Sequence, residues 1–307
     1  MDYTVDVLLG DVRTTASIPN VQPRFDDPGI LRIMTRILQT KVVPMIMACR
    51  EEFFVDYLDY PIVQGNLIGY AIPSNAVGMK LRDVCLLNRA SMMNITTLPR
   101  LSLEQIGGYY FGQVVPFGFY IQNNNVILWP VNQTTPCNTI RLYYLRKANR
   151  LIETSYCGKV LSVAGNDVTL VSVPGAFVTG YKVDGIDDLP GFNTLVNSQT
   201  ISNVSGDTIT ISDASLLSEG DWICPSGYSP IPQVPEEAHQ LLVQETALEI
   251  LKSLGDQEAY QALMIEKKEL TQFVKNAMTP RTDANPKKCI SGGNSISDWC
   301  GFRFRGS

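Results

Sequence analysis

The chain has 307 residues, 45% of them apolar and 18% charged, with a net charge of −5. That length gives room for a main domain with a real core and a smaller second one, and no stretch approaches the ~20 consecutive apolar residues that cross a bilayer. The acidic balance excludes a protein that grips nucleic acid over its whole surface, while still letting DNA pass beside an acidic wall.

The opening "MDYTVDVLLGDVRTT" lacks the basic start and long apolar run of a secretory signal, so synthesis in the cytoplasm is expected. Seven cysteines, Cys49, Cys85, Cys137, Cys157, Cys224, Cys289 and Cys300, are scattered with no CxxC pair and read as free thiols in a reducing compartment.

In "FDDPGILRIMTRILQTKVVPMIMACREEFFVDYL", Asp27 can cap free amides and Pro28 suits a first helical turn, after which Ile30, Leu31, Ile33, Met34, Ile37 and Leu38 recur at helical spacing. Pro44 removes a backbone donor and predicts a kink or two consecutive helices. From Tyr60, "YPIVQGNLIGYAIP" reads as two short strands around Gly65 and Asn66, and "KLRDVCLLN" as a further strand. Ser102 caps a brief helix at "LSLEQIGG". "FGFYIQNNNVILWP" is a hairpin around asparagines, and "NTIRLYYLRKANRL" alternates as a strand with one buried face.

Between about Ser155 and Pro230 the composition shifts to Val, Ile, Thr, Ser, Gly and Asp, with strand candidates "KVLSVAG", "DVTLVSV", "YKVDGI", "TISNVSG" and "DTITISD" at short intervals. That pattern predicts a small all-β sandwich or barrel. A Pro-rich connector, "CPSGYSPIPQVP", then leads into two helices. Ala238, Leu241, Leu242, Leu248 and Leu251 line one apolar stripe; Tyr260, Leu263, Met264, Leu270, Val274 and Ala277 line the other. Gly255 ends the first helix and Asp256 caps the second, so the two fold back on one another. No tandem repeat stands out.

The expected fold class is α+β: a helical bundle body with short antiparallel strands, an inserted all-β domain and an extended C-terminal arm. Residues 1–154 form the N-terminal part of the body, 155–230 the β-rich insertion, 231–279 the helix pair completing the body, and 280–307 the arm.

Chemistry-bearing patterns are sparse. The one histidine, His239, lies beside Glu236, Glu237 and Glu245 without partners at ligand spacing, and reads as a solvated surface residue. There is no GxSxG, no Walker loop and no GxGxxG. Asp184, Asp187 and Asp188 in "VDGIDDLPGFN" have the composition of a calcium loop, but a solvated β-turn explains them as well. No catalytic, cofactor or metal site is expected, and the chain reads as a non-enzyme.

The tail differs. In "FRFR", alternation puts Phe302 and Phe304 on one face of an extended strand and Arg303 and Arg305 on the other. Such a segment suits strand addition to a partner's sheet edge, and Trp299, Phe302 and Phe304 are of the types that anchor interfaces. From Arg281 onward five cations stand against two acids, so an acidic partner surface is implied. The bland alternative is a frayed terminus whose rings fold back on their own subunit.

Several stretches carry a family likeness: "REEFFVDYLDYPIVQGNLIGYAIPSNAVGMKLRDV", "GFYIQNNNVILWP" followed by "TIRLYYLRKANRL", "SPIPQVPEEAHQLLVQETALEILKSLGDQEAY" and "PRTDANPKK". Covering most of the chain outside Ser155 to Ser229, they resemble the head-to-tail adaptor (connector) proteins of tailed bacteriophages. The resemblance implies a structural virion protein of the tail or neck region. It would form a twelve-subunit ring beneath the portal protein, close the DNA-filled head and offer a platform to the next tail component, a tube or nozzle. Genomic DNA would pass through the lumen unread and leave by it at ejection; no membrane is involved. Trp299, Phe302, Arg303, Phe304 and Arg305 would dock on the portal. Two other classes compete: a peripheral tail or surface-binding virion protein using the β-rich domain for recognition, and a cell-wall hydrolase, for which one histidine and no motif leave little machinery.

Overall fold

The computed structural model describes residues 3–19, 24–88, 96–106, 116–131, 137–189 and 192–279. Helix α1 (Val5–Thr15) is followed by α2 (Asp27–Ile37), whose start is capped by Asp26, not Asp27: the Asp26 carboxylate accepts from the Gly29 amide at 3.0 Å. Asp27 instead pairs with the Arg13 guanidinium at 2.5 Å, tying α2 to α1. Pro44 is met by a π-helical stretch, Leu38–Val42, and falls in the first turn of α3 (Val43–Cys49), where its missing donor is least costly.

The next segment builds two antiparallel sheets. Strands β1 (Val55–Pro61), β3 (Ala76–Leu87), β4 (Thr96–Thr97) and β7 (Thr139–Arg146) lie in the order β1-β7-β3-β4. Strands β2 (Tyr70–Ala71), β5 (Gly118–Gln122) and β6 (Asn125–Trp129) form the second, ordered β2-β6-β5, and the short α4 (Leu103–Ile106) precedes β5. One apolar core joins them, with Val84, Leu86, Ile140 and Leu142 from the first and Tyr70, Phe119, Val126 and Leu128 from the second. The β5–β6 hairpin turns on Asn123 and Asn124, both at positive φ (49° and 59°), the conformation that a two-residue primed turn demands and asparagine tolerates. The segment around Gly65 and Asn66 is no hairpin, because β2 pairs with β6 and not with β1.

After β8 (Arg150–Leu151), strands β9 (Gly158–Ala164), β10 (Asp167–Leu170), β11 (Lys182–Ile186), β12 (Thr194–Ser205), β13 (Thr208–Ile211) and β14 (Trp222–Pro225) close into a barrel in the order β10-β13-β12-β11-β14-β9. A parallel ladder between β8 and β15 (Tyr228–Ser229) brings the entry and exit of this segment side by side. Buried Arg146 at the end of β7 donates to Asn193 at 2.7 Å, stitching sheet to barrel.

The barrel is built of two pseudo-symmetric halves, which corrects the expectation of no repeat. Strands β9, β10 and β11 correspond to β12, β13 and β14 under a pseudo-twofold operation that maps every strand pairing of the barrel onto another or onto itself. The loop hydrogen bonds recur in pairs: the Leu170 amide donates to Asp207 O as Ile211 does to Asn166 O, at 2.8 and 3.0 Å, and Gly180 donates to Ile201 O as Gly220 does to Val160 O, at 2.7 and 3.0 Å. Core positions recur too, Val160 with Ile201, Val168 with Ile209, Phe177 with Leu217 and Val183 with Ile223.

Helices α5 (His239–Leu254) and α6 (Gln257–Met278) follow. Gly255 takes the left-handed conformation at φ 79°, which a Cβ disfavours, and the Asp256 carboxylate accepts from the Ala259 amide at 3.0 Å, so α6 turns back at once. Leu242, Ala247, Ile250 and Leu251 of α5 pack with Val5, Leu8 and Val12 of α1, with Ile30 and Met34 of α2, and with Leu263 and Val274 of α6.

The expected helical-bundle body is therefore wrong. The architecture is mixed α and β, with many antiparallel strands and a six-stranded closed barrel, and the helices share their core with Ala148 and Leu151 from the strand-bearing chain. The physical reason is that 3.6-residue periodicity is conspicuous in a sequence. Strands such as β3, with mixed exposure along its length, carry weaker local signals although their pairings build most of the fold.

Candidate interaction site

His239, expected on the surface, is buried at 1% exposure. Its Nε2 lies 3.1 Å from both Pro232 O and Val234 O, so it carries the proton and donates to both. The ring is held between Tyr3, edge-on at 4.9 Å, and Phe192 at 5.4 Å, and its Nδ1 has no hydrogen-bond partner. Burial pushes its pKa down to about 4, against the smaller upward pull of the two carbonyls. The histidine is a neutral pin between the proline-rich connector and α5. Its neighbours Tyr3 and Phe192 lie far away in sequence, which is why local reading missed it.

Nor do the aspartates form a metal loop. Asp184 is buried and accepts from the Ser198 and Gly227 amides, both at 2.7 Å. Asp187 caps the Leu189 amide at 2.8 Å, and Asp188 meets the Trp222 Nε1 at 3.3 Å and Lys159 Nζ at 3.7 Å. Asp221, which sequence reasoning passed over, is buried and accepts from Ser218 and Asp188. Among the described residues no group of three or more His, Cys, Asp or Glu side chains is arranged to hold a metal ion. The carboxylates close turns.

No protein-family model matches the chain, and no curated protein matches it.

What the surface displays instead is apolar side chains on stiff backbone. Leu67 and Ile68 are 73% and 80% exposed at a loop tip. The loop is tied down by Asn66, whose Oδ1 accepts from the Ile68 and Gly69 amides at 3.2 and 3.0 Å, and by Asn125 Nδ2 donating to Ile68 O at 2.9 Å. On α6, Met264, Ile265 and Phe273 are exposed; Met264 and Ala277 thus fall outside the buried stripe expected of this helix. A groove of about 600 Å³ lies between α2, the π-helical stretch and β8, floored by Leu31, Leu151 and Ile152 and rimmed by Arg32, Arg36 and Arg150.

The expected docking residues Trp299, Phe302, Arg303, Phe304 and Arg305 lie outside the described residues, as does the whole of 280–307. Of the cysteines, Cys49, Cys85, Cys137, Cys157 and Cys224 are free thiols; Cys289 and Cys300 lie outside the described residues. Among the described residues no helix is long and apolar enough to cross a membrane.

Proposed function

We propose that the protein is a structural virion component, a head-to-tail adaptor that assembles as a ring joining the portal to the tail and helps to close the DNA-filled head. The observation carrying this reading is the display of large apolar side chains at separated, rigidly built places: Leu67 and Ile68 on one loop, Ile265 and Phe273 on α6. An isolated chain leaves these in water, whereas a subunit with neighbours on several sides buries them. The resemblance of the flanking segments to phage adaptors and the cationic, aromatic terminus support the same reading. In it, residues 298–307 dock on the portal, the next tail component binds the opposite side, and DNA passes through the lumen. Imaging of assembled particles tests it: the chain should appear as a ring at the vertex. Deleting Asp298–Ser307 should weaken portal docking without changing the unfolding temperature.

A second reading, recognition by the barrel of a peripheral tail protein, is favoured by one observation. Leu161 and Val171 are exposed on the first half of the barrel, and their equivalents in the second half are exposed Ser202 and Ser212. The second half carries serine at both places, so the strand geometry does not require the apolar pair. Binding of a host-surface glycan by residues 155–230 within the full chain, lost in Leu161→Ser/Val171→Ser, would select this reading.

A further inference from the structure

We propose that the outward face of α6 in one copy seats in the arginine-rimmed groove of the next. The inference rests on the reading that the chain assembles with its own copies, and assigns the two surfaces that meet.

At 100° per residue, Leu263, Leu270 and Val274 turn α6 towards the core, and the opposite side divides in two. One half carries Met264, Lys268 and Lys275. The other carries Ile265, Phe273 and Ala262 interleaved with Glu258, Glu266 and Glu269. Ile265 and Phe273 are 68% and 59% exposed. Among the described residues the side chains of Glu266 and Glu269 take part in no ion pair or hydrogen bond, unlike Glu245, which binds Lys41 and Lys267. An apolar row flanked by unpaired carboxylates is complementary to a partner of opposite sign with an apolar floor.

The groove supplies both. Leu31, Leu151 and Ile152 line it, and its charged lining is three arginines against one glutamate, Glu153. Arg36 is engaged by Glu249 at 3.1 Å, but Arg32 and Arg150 are exposed and have no ion-pair partner among the described residues. The lengths agree: Ala262 to Phe273 spans about 16 Å of helix, and the wall from Pro28 to Thr40 about 18 Å, at ~1.5 Å per residue. The cationic terminal segment has the wrong sign for this groove.

Groove and α6 face share no residue, so each copy offers one of each and the contact is heterologous. A contact of that kind repeats around a ring when its rotation closes. The π-helical stretch beside the groove, which supplies Gln39 and Thr40 to its wall, fits a place where irregular helix geometry is kept for binding.

The test is self-association of the full chain by sedimentation velocity across a concentration series, for wild type, Arg32→Glu/Arg150→Glu, Glu266→Arg/Glu269→Arg, and an equimolar mixture of the two variants. All substituted side chains are exposed, and thermal unfolding checks that each variant remains folded. Each variant alone should raise the dissociation constant at least ~10-fold. The mixture should regain wild-type association, because an alternating assembly restores opposite charge at every contact. If wild type assembles and Arg32→Glu/Arg150→Glu assembles equally well, the groove holds another chain or none; the α6 contact is then overturned while the ring reading stands. Wild type remaining monomeric throughout would overturn this contact, while the ring reading is decided separately by imaging of the assembled particle.

Discussion

Lys267 of α6 reaches Glu245 of α5 at 2.5 Å, and Lys41 of the π-helical stretch reaches the other oxygen of the same carboxylate at 2.9 Å. One buried acid thus clamps three helical segments. Burial by itself would raise the Glu245 pKa, but the two ammonium groups outweigh it and the net shift is downward. Glu245→Gln leaves two lysines facing a neutral amide and should cost about 2 kcal/mol in urea unfolding at neutral pH.

The sign of the pH dependence follows from the same clamp. A carboxylate with a depressed folded-state pKa contributes stability that is present above its unfolded value and is lost as pH falls through its folded value. His239 adds an earlier acid step by the opposite chemistry. Its neutral form is what the fold holds, so between its ordinary 6.5 and its folded value of about 4 the unfolded chain binds a proton that the folded chain does not. Stability should therefore fall by about 3 kcal/mol across that window and level off below it. His239→Gln should flatten the profile between pH 6.5 and 4, leaving the Glu245 step at lower pH; an unchanged profile would show that the histidine titrates normally.

Gly69 holds the exposed Leu67–Ile68 tip in place. Its φ is 84°, and a Cβ there would come within 2.7 Å of Val126 O and 2.8 Å of the Ile127 side chain. Gly69→Ala should destabilise the chain by about 2–3 kcal/mol, since neither the strained backbone nor the carbonyl yields cheaply. Leu67→Ser/Ile68→Ser should leave stability within about 0.5 kcal/mol and reduce association instead.

The barrel carries its own control. Leu161→Ser/Val171→Ser copies the second half onto the first, and thermal unfolding should move by no more than a degree or two. A large loss would mean that the exposed pair packs in a way that its counterparts Ser202 and Ser212 do not.

Much of the local structure was legible. Gly255 with Asp256 marks a helix reversal, and the asparagines between "FGFYIQ" and "VILWP" mark a hairpin, because each depends on backbone preferences of a few adjacent residues. What depended on distant contacts was hidden. His239 is buried by Tyr3 and Phe192, and Asp184 is satisfied by Ser198 and Gly227, none of them its neighbours in sequence. The barrel repeat escaped notice because its halves share only scattered identities, Val163 with Val204, Gly165 with Gly206, Thr169 with Thr210 and Gly180 with Gly220, and otherwise agree in burial and hydrogen bonding, as Val168 with Ile209 or Phe177 with Leu217. Its register also slips by one residue between those two pairs. The helical body was overestimated because α5 and α6 are continuous in sequence, whereas β7 finds its partners β1 and β3 only across intervening chain that holds strands of the second sheet.

Electron cryomicroscopy of the assembled particle tests the central claim most directly. The account predicts closed rings of this chain at the portal vertex, with α6 of each copy against α2 of its neighbour and the cationic terminus reaching the portal. Density for this chain only as isolated copies, or at the distal tail tip, would contradict it.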